Sequence, residues 1–281
     1  MKLAFSTNAF TRYPLEVALR SIASAGFEAV EILADTPHAY PDQIDAALVD
    51  RVRTLLTETQ LAVSNVNANC SFGYWRHAPP EPYFEPSLIS PDPRHRADRQ
   101  RLILRTIDFA AAVGAGNISI TTGRCLGGMP PHQARGQLVE SLKPVLAAAE
   151  RASINVGIEC EPGLYVEWAE ELIELIDRVG SPRLGANWDV GHSVVMGEDL
   201  AAAARLLRGR IWNLHVEDLP GKKHYHTIPG QGTFDWVGLR SILHSIGYDG
   251  FATVELYTET AEPKTAAEES FQFLRKWRQD G

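Results

Sequence analysis

The chain alternates short strand-like runs, in which apolar and polar residues follow one another, with longer stretches that carry apolar residues at helical spacing. The strand-like runs begin near Leu3, Ala29, Ala62, Ile118, Val156, Leu184, Ile211 and Ala252. The helical stretches cover residues 15–25, 44–58, 99–113, 137–151, 167–179, 200–207, 236–246 and 265–277. Repeated strand–helix units predict a parallel sheet, and eight units predict that this sheet closes. We therefore expect an α/β fold in which residues 1–281 form one (β/α)8 barrel domain.

An open, doubly wound sheet is the alternative fold for the same pattern. Sheets of that kind that bind dinucleotides carry a glycine-rich turn after the first strand. The first strand here reads LAFSTNAF and contains no such turn. The length of 281 residues also suits one barrel. The closed barrel is therefore the preferred prediction.

A segment at residues 70–96 differs from the other predicted connections because it is long and rich in proline and aromatic residues. Long connections after strands of a barrel often carry function. We interpret this segment as a lid over the active site, with Trp75 in contact with substrate. A surface loop without a role is the alternative.

The last four strand-like runs share a second pattern. Their apolar residues fall on one face, and their polar residues fall on the other, because side chains alternate along a strand. If the apolar face packs on the helices, the polar face lines the barrel, where ionisable groups are costly unless they are paired or bind a metal. The ionisable residues of this face are Glu159, Glu161, Asp189, His215, Glu217 and Glu255.

Four of these residues, Glu159, Asp189, His215 and Glu255, lie on successive strands near the same end. Neighbouring strands lie about 4.8 Å apart, so four side chains at one height can converge on one ion. Three carboxylates and one imidazole suit a divalent ion, with manganese as the expected metal and magnesium, cobalt or zinc as alternatives. Helix caps or ion pairs are the alternative interpretation. Glu161 competes with Glu159, which is preferred because Pro162 follows Glu161 and ends the strand.

The overall charge narrows the class of ligand. A net charge of −8 disfavours a nucleic-acid surface, which needs clustered basic residues. A small polar molecule is the expected partner. The three cysteines, Cys70, Cys125 and Cys160, are too few and too scattered for a disulfide framework. We expect a cytoplasmic protein without a signal peptide or a membrane span, and a homo-oligomer remains open.

Several segments together resemble a known superfamily. They are FSTNAF, GFEAVEI, LGANWDVGH, WNLHVEDL and GYDGFATVELY, which extend over nearly the whole chain. They are similar to segments of the xylose isomerase-like TIM barrels, which include ketose 3-epimerases, hydroxypyruvate isomerase, inosose dehydratase and the family 2 AP endonucleases. The resemblance implies that Glu159, Asp189, His215 and Glu255 bind one divalent metal. It also implies that the two glutamates exchange protons with a sugar, and that His192 lies beside the substrate or a further metal.

The chain departs from the AP endonucleases, which use histidines on earlier strands to build a three-metal cluster. The third strand here carries Asn65, Asn67 and Asn69 instead, so the full cluster is not expected. His224 and His226 resemble later ligands of that cluster. With His192 they bind substrate hydroxyls, hold a second metal or serve the loop structure. The residues expected to bind substrate are His192, His226, Glu161, Asn67, Trp75 and Arg124.

We therefore expect a metal-dependent isomerase or epimerase of a keto sugar or related polyol. In such an enzyme, carboxylates move a proton next to a carbonyl, and a metal stabilises the enediolate. A dehydratase or lyase that acts on an inosose or an oxo-glycoside is the first alternative. An AP endonuclease-like nuclease and a sugar-binding barrel without catalysis are further alternatives. Arg124 binds a phosphate or pairs with a carboxylate in these interpretations.

Overall fold

The structure, a computed structural model, describes residues 1–75 and 84–279. Eight parallel strands, β1 to β8, form a closed barrel in chain order. The strands are β1 Lys2–Ser6, β2 Ala29–Leu33, β3 Ala62–Asn67, β4 Asn117–Ile120, β5 Asn155–Glu159, β6 Leu184–Asp189, β7 Ile211–Val216 and β8 Phe251–Val254. Every predicted strand is present within one residue of its predicted start. The predicted (β/α)8 barrel is confirmed.

The α-helices of the described residues surround the barrel. They are α1 Leu15–Ala25, α2 Ala46–Thr59, α3 Pro93–Val113, α4 Pro131–Ala152, α5 Ala169–Val179, α6 Val190–Met196, α7 Leu200–Leu206, α8 Trp236–Ile246 and α9 Pro263–Gln279. Among these described helices, none is long and apolar enough to cross a membrane. Helices α3 and α4 begin six residues earlier than the sequence pattern predicted, because each opens with a polar first turn after a proline.

Helix α6 was not predicted, and it directly follows β6. It has only seven residues, too few to display a helical period. It begins because the Asp189 side chain accepts a hydrogen bond from the backbone N–H of His192 (2.8 Å). It ends at Gly197, whose φ of 77° is left-handed. The last residue of β6 is therefore also the N-cap of the next helix, which fixes His192 beside the strand ends.

The apolar faces of the strands form the core between barrel and helices. Ile158, Trp188, Leu214 and Val254 are buried there, one from each of the last four strands. Burial of each such side chain contributes roughly 1.5–3 kcal/mol. The alternation predicted for these strands is confirmed, and the opposite faces carry the buried polar residues of the barrel interior.

The segment after β3 is fixed at its base. Asp35 accepts hydrogen bonds from the backbone N–H groups of Phe72 (2.5 Å) and Gly73 (2.8 Å). The buried guanidinium of Arg99 donates to the backbone carbonyls of Ala68 and Asn69. Because α3 begins at Pro93, the connection is shorter at its carboxyl end than the predicted range 70–96. Residues 76–83 of the predicted lid lie outside the described residues.

Candidate metal centre

The carboxyl ends of β5 to β8 bring together the four residues predicted to bind a metal. Glu159 and Asp189 are the last residues of β5 and β6, His215 is the fifth residue of β7, and Glu255 directly follows β8. The strand register pairs Asp189 with His215. All four side chains are buried. The four side chains therefore lie at the same level along the barrel axis, as the sequence pattern predicted.

The distances inside this group are short. From His215 Nδ1, the nearest carboxylate oxygens are those of Glu159 at 3.2 Å, Glu255 at 3.7 Å and Asp189 at 3.8 Å. One ligand atom from each of the four residues lies within 4.8 Å of the other three. Three carboxylate oxygens and one ring nitrogen can thus bind a single ion.

A fifth ionisable residue, Glu31 on β2, holds the far side of the imidazole. Its carboxylate oxygen lies 2.7 Å from His215 Nε2, so Nε2–H donates to Glu31 and Nδ1 faces the other carboxylates. Burial alone lowers the pKa of His215, but Glu31, Glu255 and Glu159 outweigh it and raise that pKa well above the ordinary value. In return, His215 overcomes the effect of burial on Glu31 and lowers its pKa.

Sequence reasoning missed Glu31. It lies in the segment GFEAVEI, at a position whose side chain faces the barrel interior. The available signal was a carboxylate inside an otherwise apolar strand. Its partner is 184 residues away in sequence, so only the closed barrel reveals what the carboxylate contacts.

Asparagine side chains orient the carboxylates. Asn67 donates to Glu255 (3.1 Å) and to Glu31 (3.1 Å). Asn69 donates to Glu159 (2.8 Å), and Asn187 also donates to the Glu159 carboxylate. These amides leave the carboxylates little freedom to rotate. Asn69 and Asn187 were not predicted as site residues.

The donor set fits a divalent cation. Three carboxylates crowd one imidazole, and among the described residues the buried Oδ2 of Asp189 has no hydrogen-bond partner. Burial, together with the nearby Glu159, Glu31 and Asp189, raises the pKa of Glu255 well above its ordinary value. Such crowding is typical of carboxylates that lack a compensating positive charge. A cation among these four residues would supply it.

Three histidines form a second group beside the first. The ring centroids of His192 and His224 are 4.7 Å apart, and His226 lies 5.7 Å and 5.6 Å from them. Burial lowers the pKa of His192 to about 4 and that of His226 to about 3, so both rings are neutral at pH 7. One nitrogen from each ring lies within the mutual distance that a metal allows.

Glu161 lies two residues beyond the end of β5 and faces these histidines. Its carboxylate oxygens are 3.6 Å from His192 Nε2 and 3.9 Å from His224 Nε2. Burial and the neighbouring Glu159 raise the pKa of Glu161 well above its ordinary value. Glu161 therefore lies on the histidine side of the site. Glu159 belongs to the four-residue group and also reaches this side, because its Oε1 is 3.9 Å from His192 Nδ1.

The two remaining predicted substrate-binding residues lie outside these groups. Arg124 is exposed and donates to the backbone carbonyl of Gly163 (3.1 Å). Trp75 donates to the backbone carbonyl of Glu85 (2.7 Å), and its ring packs edge-on against His95. In the part of the chain that the structure describes, neither side chain hydrogen-bonds to the four predicted metal ligands, Glu159, Asp189, His215 and Glu255. Their substrate contacts stay predictions.

Comparison with known proteins gives a consistent picture. A family model described as xylose isomerase-like TIM barrel matches residues 19–277. The chain is 26% identical over 283 aligned residues to a fructoselysine 3-epimerase of Shigella flexneri, covering 98% of this chain and 97% of that protein. A D-tagatose 3-epimerase-like protein has a similar structure, with TM-score 0.83, 20% identity, and 99% and 97% of the two chains covered.

A second solved structure, the IOLI protein with a bound zinc atom, is similar to this chain with a TM-score of 0.76. The two are 19% identical, and the likeness covers 100% of this chain and 97% of the other. At such identities the two solved structures support the fold alone. The family model extends over most of the barrel, and the chain belongs to the xylose isomerase-like TIM barrel family.

Proposed function

We propose that this chain is a divalent-metal-dependent epimerase or isomerase of a keto sugar or related polyol. The observation that carries the proposal is the group of two buried glutamates, Glu159 and Glu255, around His215 and Asp189. The fructoselysine 3-epimerase relative, aligned over 98% of the chain, supports the reaction class. The family membership supports the fold on which such a site is built.

The metal would be held by Glu159, Asp189, His215 and Glu255, with manganese as the proposed ion and magnesium, cobalt or zinc as alternatives. The zinc atom of the IOLI protein supports a metal in this fold. When bound, a divalent ion supplies positive charge that stabilises negative charge developing on a substrate oxygen. The remaining chemistry falls to the side chains.

Glu159 and Glu255 are the proposed proton carriers. They come from β5 and β8, on either side of the strands that carry Asp189 and His215. One carboxylate removes the proton from the carbon next to the carbonyl, and the electron pair moves into the enediolate. Return of a proton to the opposite face gives the epimer. Return to the neighbouring carbon gives the isomer.

The amides around these glutamates keep them in position for proton transfer. Asn69 donates to Glu159 at 2.8 Å, and Asn67 donates to Glu255 at 3.1 Å. The side-chain Oδ1 of Asn67 also accepts a hydrogen bond from the backbone N–H of Asn69 (3.1 Å). Because the polar atoms of Asn67 already have these partners, we propose that it orients Glu255 rather than binding substrate hydroxyls as the sequence analysis expected.

Substrate hydroxyls are proposed to bind on the side of the site formed by His192, His226 and Glu161. Both histidines are neutral at pH 7, and Nδ1 of each donates to a backbone carbonyl, of Cys160 and of Glu255. Each Nε2 can therefore accept a hydrogen bond from a substrate hydroxyl.

Trp75 and Arg124 are proposed to contact more distant parts of the substrate. We also propose that the protein binds a carbohydrate, is cytoplasmic and does not bind nucleic acid. Both a monomer and a homo-oligomer are compatible with this function.

The test is a mass-spectrometric screen of keto sugars and inososes in deuterated water, with manganese added to the enzyme. An epimerase or isomerase incorporates deuterium at the carbon next to the carbonyl and forms a product of otherwise equal mass. A product that has lost water would identify the dehydratase or lyase alternative instead. A metal-loaded enzyme that exchanges no proton in any of these compounds would contradict catalysis of this class.

Single glutamine variants sharpen the test, because glutamine keeps the shape but is not a base at neutral pH. If each glutamate serves one face of the substrate, Glu159→Gln and Glu255→Gln each still exchange deuterium with one epimer and fail to interconvert the pair. Metal content measured in each variant separates lost proton transfer from lost metal. Equal loss of exchange from both epimers in both metal-loaded variants would contradict the two-face assignment.

A further inference from the structure

Another group of buried residues, different from the three histidines, shares Asp189 with the proposed metal centre. It consists of Asp189, Glu217 and His226, which are all buried and whose ligand atoms lie within 4.8 Å of one another. Glu217 directly follows β7, two residues after His215. No role in the proposed proton transfer falls to Glu217. Its carboxylate is nevertheless fully enclosed in the protein.

The atoms of this group that face one another lack partners. Both carboxylate oxygens of Glu217, Oδ2 of Asp189 and Nε2 of His226 have no hydrogen-bond partner among the described residues. Buried polar atoms in proteins normally have one. If both carboxyl groups are ionised, these unpartnered atoms lie together without a compensating positive charge, which a divalent cation would supply. A proton shared by the two carboxyl groups is the competing arrangement, because burial and the neighbouring Asp189 raise the pKa of Glu217 well above its ordinary value.

His226 is prepared to act as a ligand. Its Nδ1 lies 2.8 Å from the backbone carbonyl of Glu255. A carbonyl only accepts, so Nδ1 carries the hydrogen and Nε2 offers its lone pair to the group. This is the same arrangement in which Glu31 fixes the ring of His215, and it is typical of metal-binding histidines.

The backbone makes room for the Glu217 carboxylate. A Cβ atom added to Gly191 would lie 1.6 Å from Glu217 Oε1 and 3.3 Å from Asp189 Oδ1. Gly191 lies in the first turn of α6, where any residue can adopt the backbone conformation. Glycine is therefore needed at position 191 because a larger side chain would collide with the Glu217 carboxylate, and not because the backbone requires it.

We propose that Asp189, Glu217 and His226 bind a second divalent cation, and that Asp189 bridges it to the first. Two carboxylates and one imidazole suit Mn²⁺ or Zn²⁺. The proposal rests on the proposed function, because the first ion shares Asp189. It replaces the substrate contact of His226, whose Nε2 would bind the cation, and leaves His192 and Glu161 for the substrate hydroxyls.

This second-cation site differs from a metal held by His192, His224 and His226, the alternative considered from the sequence. His224 is partly exposed, with 30% of its side chain accessible, and a metal held by those three rings would leave the Glu217 carboxylate without a partner among the residues that the structure describes.

The experiment measures how many ions the protein binds. Metal-free protein, prepared with a chelator, is titrated with Mn²⁺ alone by equilibrium dialysis and elemental analysis. We expect two ions per wild-type chain and one per Glu217→Gln chain. The electron paramagnetic resonance spectrum of the wild type should report a coupled pair of Mn²⁺ ions, and that of Glu217→Gln an isolated ion. Thermal unfolding of each variant verifies that it is folded.

Three further variants make the assignment specific. Gly191→Ala displaces the Glu217 carboxylate without removing it, so this variant should also bind one ion. Glu161→Gln removes a buried carboxylate beside the same histidines and should keep two ions. His224→Ala removes the exposed member of the histidine group and should keep two ions as well.

The possible failures are distinguishable. A wild type that binds one ion would overturn the second site and leave the first intact. A wild type that binds none would remove the metal of the proposed function as well. Two ions in Glu217→Gln but one in His224→Ala would assign the second ion to the three histidines. Loss of both ions in Glu217→Gln would make Glu217 a support for Asp189 at the first site, and would also overturn the proposal.

Discussion

The two halves of the barrel interior differ in the kind of polar residue that they carry. Strands β5 to β8 end in ionisable side chains that crowd one imidazole. Strands β3 and β4 and the residues just after them carry amides and hydroxyls instead, namely Ser64, Asn65, Asn67, Asn69, Ser119 and Thr121. Asn67 donates to Glu255 and Asn69 to Glu159 across the barrel. Asn65 donates to Glu31 on the neighbouring β2. One half supplies the proposed metal ligands, and the amides of the other half hydrogen-bond to them.

This difference has a physical reason. Carboxylates can be buried only with a compensating charge or with hydrogen-bond donors, and an amide supplies donors without adding charge. Histidines or acids on the third strand would have made further metal ligands. The asparagines found at and just beyond the end of β3, Asn67 and Asn69, make this half a neutral framework. Glu31 on β2 is the charged exception, and it is paired with His215 at 2.7 Å.

The largest expected effect follows removal of a proton carrier from the ionisable half. In Glu255→Gln we expect turnover to fall roughly 10²- to 10⁴-fold, as is usual for a lost general base. The matched control is Glu28→Gln. Glu28 is bonded at the opposite end of the barrel to the backbone N–H of Leu3 (3.1 Å) and to Arg278, so turnover should stay near that of the wild type.

The measurement is the rate of interconversion with metal content determined in the same sample. A metal-loaded Glu255→Gln enzyme with wild-type turnover would remove Glu255 from the proton path. It would favour a histidine, such as His192 or His226, in its place.

A smaller effect is expected where the framework orients a ligand. Glu31→Gln loses the charged partner of His215 Nε2, and such supporting partners usually contribute 10- to 100-fold to metal affinity or activity. We expect the dissociation constant for Mn²⁺ to rise by about that factor, measured by competition with a chelator. Unchanged affinity in the folded variant would show that the ring of His215 is fixed without Glu31.

The amide framework is tested by Asn69→Ala, which removes the hydrogen bond to Glu159. Hydrogen bonds to charged groups contribute about 1.5–3 kcal/mol, so we expect turnover to fall at least about tenfold. Asn117→Ala is the matched control, because Asn117 also donates from the barrel interior, to the carbonyl of Ser64. It should lower the melting temperature but preserve turnover. Equal turnover in both variants would reduce the amides to structural residues.

The smallest expected effect concerns the loop above the framework half. Trp75→Ala should raise KM several-fold and leave kcat nearly unchanged, because the proposed contact is with bound substrate and not with the reacting atoms. The ring also packs on His95 and Tyr74, so a small loss of thermal stability accompanies it. A variant with unchanged KM would remove Trp75 from the substrate site.

The same division of the barrel explains what could be predicted from the sequence. The alternation of apolar and polar residues along β5 to β8 was enough to predict that Glu159, Asp189, His215 and Glu255 face the barrel interior, because the sequence of a strand shows which of its residues share a face. The role of Glu31 could not be predicted, because its partner lies across the closed barrel. Glu217 shared the inward parity but offered no local reason to choose it.

Two other features of the site depend on contacts that no short segment displays. Helix α6 is too short to show a period, although it fixes His192 beside Asp189. The hydrogen bond that the Asn69 side chain donates to Glu159 joins residues 90 positions apart. Neither the helix nor this hydrogen bond could be predicted from the sequence, because each depends on residues that only the folded barrel brings together.

The central claim is that the four ionisable residues at the ends of β5 to β8 hold one catalytic divalent ion. A crystal of the wild-type protein grown with Mn²⁺ and measured at the manganese absorption edge tests it most directly. The account predicts an anomalous peak within bonding distance of carboxylate oxygens of Glu159, Asp189 and Glu255 and of Nδ1 of His215. A well-ordered crystal without an ion among these four side chains would contradict it.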